Sequence, residues 1–399
     1  MTRWLIVALQ NVFATDRQMA FLLGPRQVGK TWIACHLGNG VQYFSWDVSD
    51  DRRLILTGGR ELAERAGLYT LSDKPPVVVF DELHKFPRWK DFLKGFFDTW
   101  EGKCRIVVTG SAALDAFSQG GDSLMGRYFL WHCHPLAWAE VLADPEGASL
   151  DDEDAVWRLY ETLGGFPEPF LRRDPAFWRR WRALRWKQLF REDVRDLTAS
   201  LDLDRIETLG QILLEQATGQ CTWSTLATRL QVSQDTLRRW VSLLESLHTI
   251  FLLRPWSANV SRSLLKEPKV FFADWSWITD RGARVENLAA CQLRSQLAFW
   301  QDQGLGEFGL WYLRDKDGRE ADFLVSRDGK PWLVLEVKAS ETKLSPGFLY
   351  MAKQVGARHN FQLVCDLPEV EADPFSRGQE PLVVPMRTFL RRWGLAPPP

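Results

Sequence analysis

The chain has 399 residues, with 50 Lys plus Arg against 51 Asp plus Glu, a formal net charge of −1. That length allows about two to four domains with substantial cores. The even charge balance gives no support to a globally basic nucleic-acid binder, so any basic surface must be local. The six cysteines (35, 104, 133, 221, 291 and 365) lack paired short spacings. This argues against a disulfide framework or a zinc site and for reduced thiols in the cytoplasm. His132-Cys133-His134 alternate along an expected strand and have no second ligand cluster, so they carry no metal expectation. No apolar run is long enough to span a bilayer, so no membrane partner is expected. The apolar residues 4–9 lack a small-residue cleavage site and read as a helix rather than a signal peptide.

Taken in order, residues 1–17 read as a leading helix, and Met19-Ala20-Phe21-Leu22-Leu23 as a buried strand. Gly24-Pro25-Arg26-Gln27-Val28-Gly29-Lys30-Thr31 follows, fitting Gly-x-x-x-x-Gly-Lys-Ser/Thr, and residues 32–37 continue as a helix. Strand, glycine loop and helix is the context in which this pattern cradles phosphates. Gly24 and Gly29 let backbone N–H groups converge, and the helix N-terminus adds partial positive charge. Lys30 would reach the β- and γ-phosphates, and the Thr31 hydroxyl would ligate Mg²⁺.

Residues 41–46 form a second alternating strand and residues 52–66 carry a helical pattern. Pro76-Val77-Val78-Val79-Phe80-Asp81-Glu82 is a core strand ending in two carboxylates. At the C-terminal edge of an open α/β sheet, Asp81 would serve Mg²⁺ and Glu82 would polarise an attacking water. After a helical stretch at 89–100, residues 104–111 make another core strand with polar residues at its end. Ser111, or Thr109, is the candidate γ-phosphate sensor; Ser111 also reads as a helix N-cap. Gly126-Arg127 precedes the strand Tyr128-Phe129-Leu130-Trp131. Arg127 is a candidate transition-state arginine, in its own subunit or across an interface, and equally a salt-bridge partner. Arg26 is a weaker candidate for the same role.

Residues 145–154 shift to small and acidic residues and mark a domain boundary. Gly164-Gly165-Phe166-Pro167-Glu168-Pro169 breaks two helical segments. Residues 177–187 interleave basic and aromatic side chains. On a helix, Phe177, Trp181 and Leu184 share one face, and Arg179, Arg182 and Trp186 another. The segment reads as an amphipathic lid helix, with a phosphate grip as the alternative. Residues 222–230 form a short helix, Gln231-Val232-Ser233 a turn and 234–247 a longer helix capped by Ser233, with a wing at 249–255. Leu237, Trp240, Val241, Leu244 and Leu247 line its apolar side, and Gln234, Asp235, Arg238 and Arg239 would face outward. This helix-turn-helix pattern suits DNA reading or protein docking.

Val285-Glu286-Asn287-Leu288 opens a further helix. Residues 309–314, 320–325 and 331–338 read as three strands joined by turns at Asp315-Lys316-Asp317-Gly318 and Asp328-Gly329. Asp322 lies at a strand centre, and Glu336 and Lys338 share one face of the next strand because side chains repeat every second residue. Two carboxylates at such a face would hold Mg²⁺, with Lys338 stabilising charge or orienting water for phosphodiester attack. A salt-bridged sheet surface is the other reading. Glu286 would complete the acidic set.

Together, the glycine loop, Phe80-Asp81-Glu82-Leu83-His84-Lys85, Thr109-Gly110-Ser111, Gly126-Arg127 and the C-terminal Glu-Asn-Leu, Glu-Ala-Asp-Phe and Glu-Val-Lys motifs resemble a known family. It is the uncharacterised bacterial and archaeal AAA-type P-loop ATPases with a C-terminal domain of unknown function. The C-terminal motifs are similar to the looser restriction-endonuclease-like PD-(D/E)xK pattern, with Ala321 where a Pro precedes the Asp. The resemblance implies that residues 24–31 bind nucleotide, that Asp81 and Glu82 serve Mg²⁺ and hydrolysis, and that Ser111 is the sensor. It also matches Asp322, Glu336 and Lys338 to the nuclease core.

The expected fold class is α/β. A P-loop ATPase core (1–145) is followed by a helical lid (146–200), a winged helix (201–258) and a restriction-endonuclease-like domain (259–399). The expected activity is ATP hydrolysis with ATP and Mg²⁺ as cofactors, coupled to DNA binding or processing and extending to metal-dependent DNA cleavage. The alternative is an ATP-driven signalling or scaffold switch with an inactive C-terminal binding domain. An arginine acting between subunits would require a homo-oligomer.

Overall fold

The computed structural model describes residues 3–38, 40–71, 74–110, 124–143, 152–197, 202–257, 267–394 and 397. The chain divides into two compact units, residues 2–134 and residues 135–399.

In the first unit, helix α1 (Trp4–Thr15) precedes β1 (Met19–Leu23), α2 (Lys30–Cys35), β2 (Gln42–Ser45), α3 (Ser49–Thr57) and α4 (Arg60–Arg65). Then come β3 (Val77–Asp81), α5 (Trp89–Thr99), β4 (Arg105–Thr109) and β5 (Tyr128–His132). The helical stretch expected at 52–66 is two helices because Gly58 and Gly59 adopt positive φ between them. The five strands are parallel in the order β2-β3-β4-β1-β5, so β4 separates the strand of the glycine loop from the strand ending in Asp81. All five β1 residues are buried, as expected of a central parallel strand covered on both faces.

The second unit opens with α6 (Trp138–Leu142), α7 (Glu153–Leu163), α8 (Pro167–Arg172), α9 (Pro175–Gln188) and α10 (Val194–Leu197). Next are α11 (Leu203–Glu215), α12 (Trp223–Leu230), α13 (Gln234–Ser246) and the antiparallel pair β6 (Ile250–Leu253) and β7 (Lys269–Phe272). The chain continues through α14 (Arg281–Asp302), β8 (Phe308–Arg314), β9 (Glu320–Arg327), β10 (Lys330–Lys338) and α15 (Pro346–Val355). It ends with β11 (His359–Val364), β12 (Leu382–Pro385) and α16 (Met386–Trp393). Strands β8, β9 and β10 pair antiparallel, and β10, β11 and β12 pair parallel, giving a mixed sheet in the order β12-β11-β10-β9-β8.

Strand β7 is shared between two cores. Val270 and Phe272 pack with α11, α12 and α13, whereas Phe271 joins the core that holds α14 and the mixed sheet. The two-residue period of a strand therefore sends Lys269, in step with Phe271, toward the mixed sheet. Helices α7 and α8 contribute Val156, Trp157, Tyr160 and Phe170 to that same core.

The basic and aromatic helix α9 docks differently from its sequence pattern. Trp181 is buried but Leu184 is 54 % exposed, so Leu184 leaves the face expected for it. The helix is anchored through its polar atoms instead. Trp178 Nε1 donates to Ser276 Oγ (3.2 Å), Arg182 to the Trp277 carbonyl (2.9 Å), and Arg185 pairs with the buried Asp274 (3.0 Å). The Arg185 guanidinium also lies 3.6 Å from the Phe166 ring centroid. Burial pulls the Arg185 pKa down to about 10 and raises that of Asp274, opposed in each case by the partner's charge. Arg185→Ala strands a buried carboxylate. It is expected to lower stability by about 3 kcal/mol in urea unfolding, and an unchanged midpoint would contradict this docking.

Candidate functional site

The glycine loop follows the C-terminal end of β1. Gly24 has φ 143°, and a Cβ there would lie 2.1 Å from the Cys133 carbonyl oxygen, so no other residue fits without displacing β5's exit. Gly29 adopts φ 97° as the N-cap of α2, and Gln27 is also left-handed at φ 62°. Val28 is fully buried and its carbonyl accepts from Arg3, which pins the loop from below. The Lys30 ammonium folds onto the loop, donating to the Gly24 and Pro25 carbonyls at 2.7 Å each. Burial lowers its pKa to about 8, against the opposing pull of Glu82 and Asp81.

Asp81 is the meeting point of this unit. Its Oδ2 accepts from Thr31 Oγ1 (3.3 Å) and from the Tyr43 hydroxyl (2.5 Å). Its Oδ1 accepts from Thr109 Oγ1 and from the Glu82 backbone N–H (3.1 Å). Burial, then the hydrogen bond to Asp81, raises the Tyr43 pKa, so Tyr43 remains a donor. Tyr43 escaped the sequence reading because nothing local marks it. The register of β2 on β3, with Tyr43 opposite Val79, brings it within reach. Hydroxyl and carboxylate oxygens are the hard donors that Mg²⁺ takes, so Thr31 and Asp81 fit the ion that a P-loop implies.

Glu82 turns sharply out of β3 at φ 54°, and its N–H also reaches the Thr109 carbonyl (3.0 Å). Its carboxylate lies 3.1 Å from Lys85 and 3.7 Å from His84. Of the two sensor candidates, Thr109 stands at Asp81, whereas Ser111 lies outside the described residues. Arg127 is not brought to this site within the chain. It precedes the start of β5, beside Met19, at the sheet edge opposite the glycine loop, and it makes a two-pronged pair with Asp98 (2.8 and 3.0 Å). A residue just before a strand of a parallel sheet lies at the edge away from the loops that follow the strands, and the sequence left open only whether β5 runs parallel. Arg26 is exposed on the glycine loop.

In the second unit, Gln234, Asp235, Arg238 and Arg239 are exposed on α13, and the Ser233 hydroxyl caps that helix at the Thr236 N–H (3.1 Å). Leu237, Trp240, Val241 and Leu244 are buried behind it, while Leu247 is half-buried.

The mixed sheet brings Asp322 of β9 beside β10, where its Oδ2 accepts from the Val337 N–H (2.8 Å). Glu336 pairs with Lys338 at 2.7 Å. Glu286, from α14, does not complete a metal set. Its carboxylate is 3.1 Å from Lys269 of β7, a residue that the sequence reading missed, and the same ammonium pairs with Glu320 (2.5 Å) and lies 3.9 Å from Asp322. Burial and then the charge of Asp322 push the Glu286 pKa up to about 8 and that of Glu336 up to about 7. Among the described residues, no group of three or more His, Cys, Asp or Glu is placed to hold a metal ion. At Asp322 the lining therefore does not fit a divalent ion, because the Lys269 ammonium stands among Asp322, Glu286 and Glu320, whereas Glu336 pairs with Lys338.

Sequence comparison agrees with the first unit's architecture. Residues 16–142 match an AAA domain family, residues 155–279 a domain of unknown function (DUF8612), and residues 281–385 another (DUF4143). The chain thus contains an AAA-type P-loop ATPase domain followed by two segments from families of unassigned function. Uncharacterized protein Rv2008c of Mycobacterium tuberculosis is 24 % identical over 332 residues, covering 81 % of this chain and 71 % of the relative. Uncharacterized protein Mb2031c of Mycobacterium bovis gives the same figures. Among solved structures, the Aeropyrum pernix ORC1 protein in complex with DNA aligns at a TM-score of 0.32 and 15 % identity. That alignment covers 73 % of this chain and 92 % of that one. Among the described residues, no helix is long and apolar enough to cross a membrane.

The Lys30 pKa, lowered from 10.5 to about 8, sets a sign for stability. Between those values the unfolded chain binds more protons than the native one, so this group's contribution to stability rises with pH through that window. Lys30→Met is therefore expected to melt above the wild type at pH 7, with the gap narrowing as pH rises from about 8 to 10. A constant gap would show that burial does not govern this lysine.

Proposed function

We propose that this chain is a Mg²⁺-dependent ATPase whose nucleotide cycle is coupled to DNA binding or processing. The observation that carries the reading is the convergence of Thr31, Tyr43 and Thr109 on Asp81 beside the glycine loop. Bound Mg²⁺ supplies charge neutralisation at the β- and γ-phosphates. Thr31 and Asp81 would hold it. Lys30, released from the loop carbonyls, would bind the phosphate oxygens, and the backbone N–H groups of residues 24–31 would line the remaining ones. Glu82 sits at the mouth of the site on a partly exposed ion pair with Lys85, which exchanges for a water at little cost. From there it accepts a proton from the attacking water.

The DNA part rests on α13, whose exposed Gln234, Arg238 and Arg239 suit phosphate and base contacts. A homo-oligomer would give Arg127 a partner's site to serve. For metal-dependent cleavage, the supporting features are the mixed sheet and the proximity of Asp322 to the Glu336 strand. The Lys269 ammonium stands against it. The same ammonium favours the second reading, a nucleotide-driven switch whose C-terminal segment binds without cutting.

ATP binding and turnover with and without duplex DNA test the proposal. Lys30→Ala should abolish ATP binding, and Glu82→Gln should bind ATP yet turn it over about 100-fold more slowly. Unchanged turnover in either variant would overturn the assignment. Arg238→Ala with Arg239→Ala should weaken DNA binding and flatten its salt dependence. Wild-type affinity in that variant would remove α13 from the interface.

A further inference from the structure

The acidic face of the mixed sheet is covered by a residue from outside it. Lys269 belongs to β7, which pairs with β6 rather than with any strand of that sheet. Its side chain is 5 % exposed, and its ammonium lies among Glu286 of α14 and Glu320 and Asp322 of β9. The placement is fixed from several sides. Lys269 forms an isolated bridge with Gln220, whose side chain donates to the Tyr312 hydroxyl (2.9 Å), and that hydroxyl donates to the Glu267 carbonyl (2.7 Å). The ammonium also lies 5.8 Å from the Tyr312 ring centroid. Phe271, two residues on, is fully buried and locks the register of the strand.

Resting on the reading of this sheet as nuclease-like, we infer that the Lys269 ammonium is a built-in counter-cation standing where a divalent ion would otherwise bind. Strand β7 therefore keeps Glu286, Glu320 and Asp322 from binding Mg²⁺ or Mn²⁺. An isolated cluster of carboxylates is unfavourable without a cation, and a covalently tethered one is always present at high effective concentration. A free divalent ion would have to displace an ammonium whose desolvation is already met by its partners. Through Val270 and Phe272 the same strand packs on the core that holds α13.

The test is Mn²⁺ titration of the full chain without nucleotide, read by the loss of the free Mn²⁺ paramagnetic resonance signal. Wild type should show no site that depends on Asp322. Lys269→Met should gain one site, at least about tenfold tighter than any in wild type, and adding Asp322→Asn should abolish it. Lys269→Met with Glu320→Gln preserves the net charge of the cluster and serves if the single variant does not fold, as judged by circular dichroism. An Asp322-dependent Mn²⁺ site in wild type would overturn the inference, as would folded Lys269 variants that gain none. Because no nucleotide is present, these outcomes are independent of whether the P-loop hydrolyses ATP, which turnover of the same wild-type preparation reports separately.

Discussion

The geometry around the glycine loop depends on one carboxylate. Asp81 ends β3 and collects donors from α2, β2 and β4, elements brought together only by the parallel order of the sheet. A half-buried carboxylate with several donors is held in one orientation, and an oriented carboxylate is what a metal-assisted phosphate site requires. The glycine loop on β1 and the Glu82 turn on β3 are then separated by the single strand β4, whose last residue, Thr109, joins them. Gly24 completes the arrangement by allowing the loop to pass against Cys133.

The second unit obeys a different constraint, the placement of cations. Three of its cations are spent on internal carboxylates: Arg185 on Asp274, Arg281 on Glu161 and Asp366, and Lys269 on the acidic sheet. Arg238 and Arg239 on α13 stay exposed, as do Arg179, Arg180 and Lys187 on α9. Strand β7 faces two cores, so one short strand carries both Lys269 and the contacts to the α11–α13 layer.

The contiguous motifs were legible because each compresses its chemistry into a few neighbouring residues. Glycine positions, a buried strand and a terminal carboxylate suffice to place Lys30, Thr31, Asp81 and Glu82. The strands at Asp322 and Glu336 and the Ser233 cap were legible for the same reason. Tyr43 and Lys269 were not, since each acts on residues far away in sequence and is set there by strand register. Leu184 misled because the apolar period assumes that a helix docks through apolar atoms, whereas α9 docks through Trp178, Arg182 and Arg185. Arg127 was read as lying near the glycine loop, but it precedes β5 and so lies at the other edge of the sheet.

ATP affinity measured with and without Mg²⁺, in wild type and in Asp81→Asn, tests most directly whether Asp81 organises a Mg²⁺-nucleotide site. Wild type should bind ATP more tightly when Mg²⁺ is added, and the variant should lose that gain while keeping its fold. An equal Mg²⁺-dependent gain in both proteins would contradict the account and move the ion away from Asp81.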